Sequence, residues 1–358
     1  MKKIVIIAGD KSGDLYGGML ARNVRQKMPS IEITSFGGPH LAEQTHQAIN
    51  LLTHSVSGLV EVIRHLGNIF KIFKQTVKEI DRIKPDLVIP IDFPDFNLRL
   101  AKTLNNRYPL YYYISPQVWA WRKGRIELIR RYVKEMVVIF TFEEEFYKKE
   151  GIVARYFGHP LLEIIPQKKF SKKNVISLLP GSRENEIKRH LPVMLEAVPL
   201  IRARLPGYTF RIIRPLNIPL EYYARFNPSI AVIEHSYEAI GESAFIITSS
   251  GTATVEIALL EVPFVILYKV NALTWSILRR MVKTDFIGMV NILAKKKIIE
   301  EFLQDTATSE ALAHTAVATL SDTHTYAAVK KELANLRETI GSAHATERFA
   351  DFIVSRLG

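Results

Sequence analysis

"KKIVIIAGDKSGDLYGG", residues 2–18, decides the fold. Ile4–Ala8 is short, β-branched and wholly apolar. A glycine-bearing turn follows, then a helical stretch over Leu15–Lys27. A strand apolar at every position is covered on both faces, as in a parallel sheet flanked by helices. The same unit repeats outward. Strand candidates fall at Ile31–Phe36, Asp86–Ile91, Leu110–Ile114, Val137–Thr141 and Val153–Phe157, with helical patterns between them. The polar segment "QKKFSKKN", residues 167–174, interrupts the rhythm and reads as a linker. The pattern restarts at Val175–Leu179, Tyr208–Ile213, Ile230–Ile233, Ala244–Thr248 and Pro263–Tyr268. From about Ser309 onward the chain reads as helical. The expected class is α/β: two doubly wound domains facing a cleft. Their expected bounds are 1–166, a linker over 167–174, 175–335, and a helical tail over 336–358 that can pack back on the first domain.

Composition narrows the chemistry. The 358 residues include no cysteine, which excludes disulfides, thiolate nucleophiles and cysteine-ligated metals, and fits a reducing cytoplasm. The opening apolar run is too short for a signal peptide, and none approaches the roughly 20 residues of a membrane span. The 48 basic residues outnumber the 36 acidic ones, so the chain suits anions such as phosphorylated substrates or anionic lipid. Zinc-finger spacing and basic blocks interleaved with aromatics are absent, so nucleic acid is not an expected partner.

In open α/β sheets ligands gather at the carboxyl ends of strands. "LPGSRENEI", residues 179–187, leaves a strand through Gly181 into a helix that Ser182 can cap. Helix N-termini favour anions, and Arg183 adds a fork suited to phosphate oxygens. The plainer alternative is a capped helix with a surface arginine. "SSGTATVEIALL", residues 249–260, repeats the design. Ser249, Ser250, Gly251, Thr252 and Thr254 offer hydroxyls and N–H groups to a diphosphate, and Glu256 lies where it could accept from a ribose diol. Simple capping is again the alternative, but two such turns in one domain point to a nucleoside diphosphate. There is no G-x-x-x-x-G-K-[ST], no G-x-G-x-x-G, no D-x-D and no H-E-x-x-H, so no catalytic metal is expected.

In the first half, Asp10, Ser12, Gly13 and Asp14 of "AGDKSGD" form a turn whose acids could cap a helix or bind sugar hydroxyls. "IDFPDFN", residues 91–97, places Asp92 and Asp95 where a strand leaves the core; Pro94 pre-sets a helix start, with Asn97 as neighbour. Trp119 and Trp121 stand beside Arg122, Lys123 and Arg125, and His159 of "FGHPL" ends the last strand. Leu59, Val62, Ile63, Leu66, Ile69, Phe70 and Phe73 recur at helical spacing among Arg64, Lys71, Lys74 and Lys78. Such a stripe usually packs into a core, and it is also what an interfacial helix uses.

Nine short motifs occur in the order of one bacterial glycosyltransferase family: "AGDKSGD", "GLVEVI", "IDFPDFN", "SPQVWAWR", "TFEEEFY", "GHPL", "LLPGSRENEI", "SSGTATVE" and "MVNIL". The chain resembles the lipid-A-disaccharide synthases. The resemblance implies two Rossmann-like domains in a GT-B-like arrangement and no cofactor. It implies a UDP-2,3-diacylglucosamine donor and a phosphorylated glycolipid acceptor, 2,3-diacylglucosamine 1-phosphate. The implied product is the β(1→6) disaccharide 1-phosphate with release of UDP. It further implies peripheral attachment to the cytoplasmic face of the inner membrane, and the family's homodimer through the C-terminal half. It makes Asp95 the candidate base and gives Arg183 the diphosphate or acceptor phosphate. Glu61, Trp119, Asn97 and Asn291 fall in its substrate site, with Ser250, Gly251, Thr252 and Glu256 at the UDP. Leu59 through Phe73 becomes its membrane-facing segment. The sequence departs from the family's common forms at Asp10 and Lys11 of "AGDKSGD", at "GGPHL" and at "MVNIL".

Overall fold

A computed structural model describes residues 1–52, 59–119, 124–271, 275, 286–341 and 343–358, without the side chains of 59–66. Two compact units emerge. One comprises Met1–Glu163 with Ser342–Gly358, and the other Ile164–Gly341.

The first unit is built on seven parallel strands: β1 Lys3–Ala8, β2 Glu32–Gly37, β3 His46–Asn50, β4 Leu87–Ile91, β5 Tyr111–Tyr113, β6 Glu135–Val138 and β7 Ala154–Tyr156. Their order is β3-β2-β1-β4-β5-β6-β7. Ile4, Val5, Ile6, Ile7 and Ala8 have no exposed surface, which explains the unbroken apolar run of β1. The order reverses between β1 and β4, so the two strand ends flanking this switch point carry "AGDKSGD" and "DFPDFN".

The second unit repeats the plan with β8 Val175–Leu179, β9 Thr209–Arg214, β10 Ala231–Glu234, β11 Phe245–Ser249, β12 Phe264–Tyr268 and β13 Glu301–Leu303. The order is β10-β9-β8-β11-β12-β13, with every pairing parallel. Its switch point lies between β8 and β11, whose ends carry "PGSR" and "SGTATVE".

Four features differ from the pattern reading. β3 and β13 are additional: "HQAIN" and "EFL" are short, partly exposed edge strands without an apolar run. The first helix starts at Lys11, not Leu15, because Asp10 accepts from the Gly13 N–H at 2.8 Å and caps it. β6 begins two residues earlier than expected and holds the buried Glu135, which pairs with Arg155 across the sheet edge at 2.9 Å. The segment 167–174 is sewn to the second unit rather than left free. Lys172 Nζ donates to the Gly241 carbonyl at 2.8 Å, and the Lys173 N–H donates to Glu242 at the same distance.

The last helix, Ala345–Leu357, packs within the first unit against Lys11–Lys27. Phe349 is fully buried, 4.9 Å from the Tyr113 ring, and Thr346 takes both oxygens of Glu163.

Candidate active site

The β4 end is strained. Asp92 and Phe93 take φ of 41° and 49°, a conformation that costs most side chains free energy. Three hydrogen bonds hold it: Tyr112 OH (2.6 Å) and Asn97 Nδ2 (2.7 Å) donate to the Asp92 carbonyl, and the Asp92 N–H donates to Tyr113 at 2.9 Å. The Phe93 ring lies against Gly9. A Cβ at Gly9 would come within 2.1 Å of that ring, so only glycine admits this approach between the two switch-point strands.

Burial pushes the Asp92 carboxyl up to about 7, and the neighbouring charge of Asp10 adds to the shift. Glu143, at the start of the helix Thr141–Lys149, is driven to about 7 by burial despite hydrogen bonds from Trp119 and the Phe140 and Ile139 N–H groups. Trp119 Nε1 donates to Glu143 Oε1 at 3.1 Å. Asp95 is different. It stands on the first turn of the helix Pro94–Leu104, three-quarters exposed, in an ion pair with the largely buried Arg125. This end of the unit thus presents one solvent-facing carboxylate beside an arginine and two acids of near-neutral proton affinity.

Other first-unit candidates do structural work. Asp14 is fully buried and accepts from the N–H groups of Gly38, His40 and Leu41, holding the next loop. Asn97 is also fully buried; its Nδ2 is engaged, and its Oδ1 has no hydrogen-bond partner among the described residues. Ser12 is half-buried and Gly13 buried within the capped first turn. Ile114, which opens the "SPQVW" loop, has φ 64°, an outlier for a β-branched residue. His159 is buried, and its Nδ1 accepts from the Leu161 N–H at 3.1 Å, so it braces a turn.

In the second unit Ser182 does not cap its helix. Arg183 occupies the cap position without a side-chain bond, and Glu186 reaches back to the Ser182 N–H at 2.9 Å and to Arg183 Nη1 at 3.3 Å. Gly181, at φ 128°, brings this turn so close that a Cβ would lie 2.7 Å from Glu186. Arg183 remains well exposed. At the β11 end Ser249 is buried, Ser250 half-buried, and Gly251 and Thr252 exposed at the start of the helix Thr252–Leu259. Thr254 is buried and donates back to Gly251 at 2.7 Å, so it stabilises the turn and offers no hydroxyl outward. Glu256 Oε2 lies 3.2 Å from His235 Nε2 at the β10 end.

Asn291 does not line an open face. It is fully buried, Nδ2 donates to Ile299 O and Glu301 Oε1, and Oδ1 accepts from the Ile298 and Ile299 N–H groups. Glu301 in turn accepts from Ile287 and Gly288. Its amide is saturated, so Asn291 can influence a ligand only through the loop it fixes.

The apolar stripe divides. Leu59, Val62, Ile63 and Leu66, with Glu61, belong to the helix Leu59–Ile83, but their side chains lie outside the described residues. Trp121, Arg122 and Lys123 also lie outside them. Ile69 is half-buried, and Phe70 is 59% exposed with Lys74 Nζ over its ring. Phe73 is core: its ring meets Phe96 edge-on at 5.3 Å.

The lipid-A-disaccharide synthetase family model matches residues 4–351. A lipid-A-disaccharide synthase of Geobacter metallireducens is 37% identical, covering 100% of this chain and 98% of its own. One from Coxiella burnetii is 35% identical, with 98% of each chain covered. The chain belongs to the lipid-A-disaccharide synthase family. Among solved structures, a Staphylococcus aureus MnaA–UDP co-structure superposes with a TM-score of 0.68 over 100% of this chain and 97% of that one, at 14% identity. A Neisseria meningitidis UDP-GlcNAc 2-epimerase bound to UDP-GlcNAc reaches 0.65 at 13% identity, covering 99% and 100%. At such identity the likeness is one of fold, that of GT-B glycosyltransferases and UDP-sugar epimerases.

For this synthase-family chain the motifs mark the strand ends at the two switch points, but not which side chains are engaged internally. Glu143 and His235 escaped the sequence reading. Glu143 was hidden in an acidic run, "FEEEF", where only its burial distinguishes it; His235 follows β10 and could have been found as one more strand-end residue.

Proposed function

We infer that this chain condenses UDP-2,3-diacylglucosamine with 2,3-diacylglucosamine 1-phosphate, forming the β(1→6) disaccharide 1-phosphate and UDP. It is a glycosyltransferase of lipid A biosynthesis. The observation that carries the reading is a family match along nearly the whole chain, with four family motifs at the two switch points.

The UDP moiety is assigned to the second unit. The N–H groups of the turn at Ser250–Thr252 and the guanidinium of Arg183 suit a diphosphate, and Glu256 suits a ribose diol. Fold neighbours solved with UDP and with UDP-GlcNAc support a UDP-sugar donor. The acceptor is assigned to the first unit. In the inverting step the acceptor 6-hydroxyl gives its proton to a carboxylate, and its oxygen forms the new bond at the anomeric carbon. The bond to the diphosphate breaks, and its electron pair leaves with UDP. Arg183 and the helix N-terminus stabilise the charge that develops there.

Asp95 is the assigned base, exposed and reachable. One observation favours a second assignment: burial pushes the Asp92 carboxyl up to about 7, near the pH at which a general base is most effective. No described helix is long and apolar enough to cross a membrane. We assign membrane attachment to the surface around the exposed Phe70 and Lys74, on the cytoplasmic face of the inner membrane. A homodimer through the C-terminal half belongs to the same reading.

The test is product analysis. Both lipids with the purified protein should yield a disaccharide 1-phosphate whose new linkage is β(1→6) by NMR. An α linkage, or transfer only from water-soluble UDP-N-acetylglucosamine, would contradict the reading.

A further inference from the structure

His190 lies on the helix Glu184–Arg204 and has no exposed surface. Its ring joins two strand ends. Nδ1 is 2.9 Å from the carbonyl of Pro180, the residue that opens the arginine turn after β8. Nε2 is 3.0 Å from the N–H of Lys269, the first residue beyond β12, and 3.2 Å from the carbonyl of the same residue.

The chemistry of these partners fixes the tautomer. A carbonyl only accepts, so Nδ1 carries hydrogen and donates to Pro180. A backbone N–H only donates, so the neutral ring must accept with Nε2 from Lys269. Protonation of Nε2 makes it a donor. It then suits the Lys269 carbonyl and abandons the Lys269 N–H in a part-buried place. One ring thus has two bonding states, distinguished at Lys269.

We propose that His190 is a positioning residue for the donor site: its neutral ring sets the turn that carries Arg183 against the end of β12. The proposal rests on the assignment of the UDP diphosphate to that turn. Glu186 and Arg189 of its own helix and Tyr268 and Lys269 of the β12 end face the ring. Burial outweighs the acceptor carbonyls and Glu186, and holds His190 below its ordinary 6.5. The neutral state is therefore the working one at neutral pH. A folded value below the unfolded one means that the stabilisation is complete above about 6.5 and is lost as pH falls through the folded value.

Two variants separate bonding from titration. His190→Leu fills the space without either bond, whereas His190→Gln keeps a donor and an acceptor that do not titrate. In the free protein, amide exchange should show Lys269 protected at pH 7.5. Protection, corrected for intrinsic rates, should fall about tenfold in acid, the scale of one buried hydrogen bond. The Leu variant should lack it at both pH values, and the Gln variant should keep it at both. UDP affinity by calorimetry should follow: about tenfold weaker for Leu, within about threefold for Gln, with a flattened acid limb. Unchanged Lys269 protection in the Leu variant overturns the proposal whether or not UDP binds. Protection that changes as stated while UDP affinity stays constant in all three proteins overturns the link to the donor site. Absence of UDP binding by the unaltered protein overturns the donor assignment and that link together.

Discussion

Asp95 and Asp92 are three residues apart and electrostatically unlike. Asp95 faces solvent in an ion pair with the largely buried Arg125. Asp92 is held in a strained turn where burial and Asp10 oppose its charge. Asp95→Asn is expected to lower kcat at least about a hundredfold, the usual weight of a general base, while UDP affinity stays within about twofold. If Asp92 takes the proton instead, Asp92→Asn removes both the activity and the acid limb near pH 7, and Asp95→Asn spares kcat; pH–rate profiles of both variants decide. Glu143 supplies a second residue-scale test. Its folded proton affinity, near 7, exceeds the ordinary 4.3 of a glutamate, so its contribution to stability is greatest below about pH 4 and is lost as pH rises through 7. Glu143→Gln should flatten the dependence of the denaturation midpoint between pH 5 and 8, and an unchanged slope would refute the assignment. Such roles were only half legible in the sequence. The motifs brought Asp95 and Arg183 forward by position. They also brought forward Asp14, Thr254 and Asn291, whose polar atoms are bonded within the fold. A one-letter code does not show where a side chain's hydrogen bonds go.

The elements were legible where burial wrote a pattern. β1 and β8 are short, nearly unbroken apolar runs, as strands buried on both faces are, and their length and the glycine turns that follow identify them. The edge strands β3 and β13 lack that signal, since one side of each has no neighbour and the side chains stay partly exposed. The helix Leu59–Ile83 illustrates a mixed case. Phe73 of its apolar stripe packs inward beside Ile72 and Ile80, and Phe70 of the same stripe does not. Sequence spacing cannot separate these two faces because Phe70 and Phe73 are neighbours on one helical surface. If the outward face carries the lipid contact, Phe70→Glu should reduce co-sedimentation with anionic vesicles severalfold and leave the melting temperature within about 2 °C. Unchanged vesicle binding would move the contact elsewhere.

At the scale of the molecule the chain crosses between units twice. It leaves the first unit after Glu163, and the 167–174 segment is fastened to the second by Lys172 and Lys173; the last helix returns to the first. Nothing in the composition of 167–174 announced that attachment, because lysines in a polar run read equally well as solvated. The returning helix buries Phe349 against Tyr113 of β5 and Phe157, the residue just beyond β7. Phe349→Ala should cost about 3–5 kcal/mol in that unit through cavity formation, with the second unit's denaturation unaffected. A single transition shifted as a whole would show that the units unfold together. The central claim is the transfer itself, and UDP release measures it most directly. Purified protein given both 2,3-diacylglucosamine lipids, with no metal added, should release one UDP per disaccharide formed, and none when either lipid is omitted. Release that requires only the UDP-lipid, or no release from any acyl-chain length tried, would contradict the account.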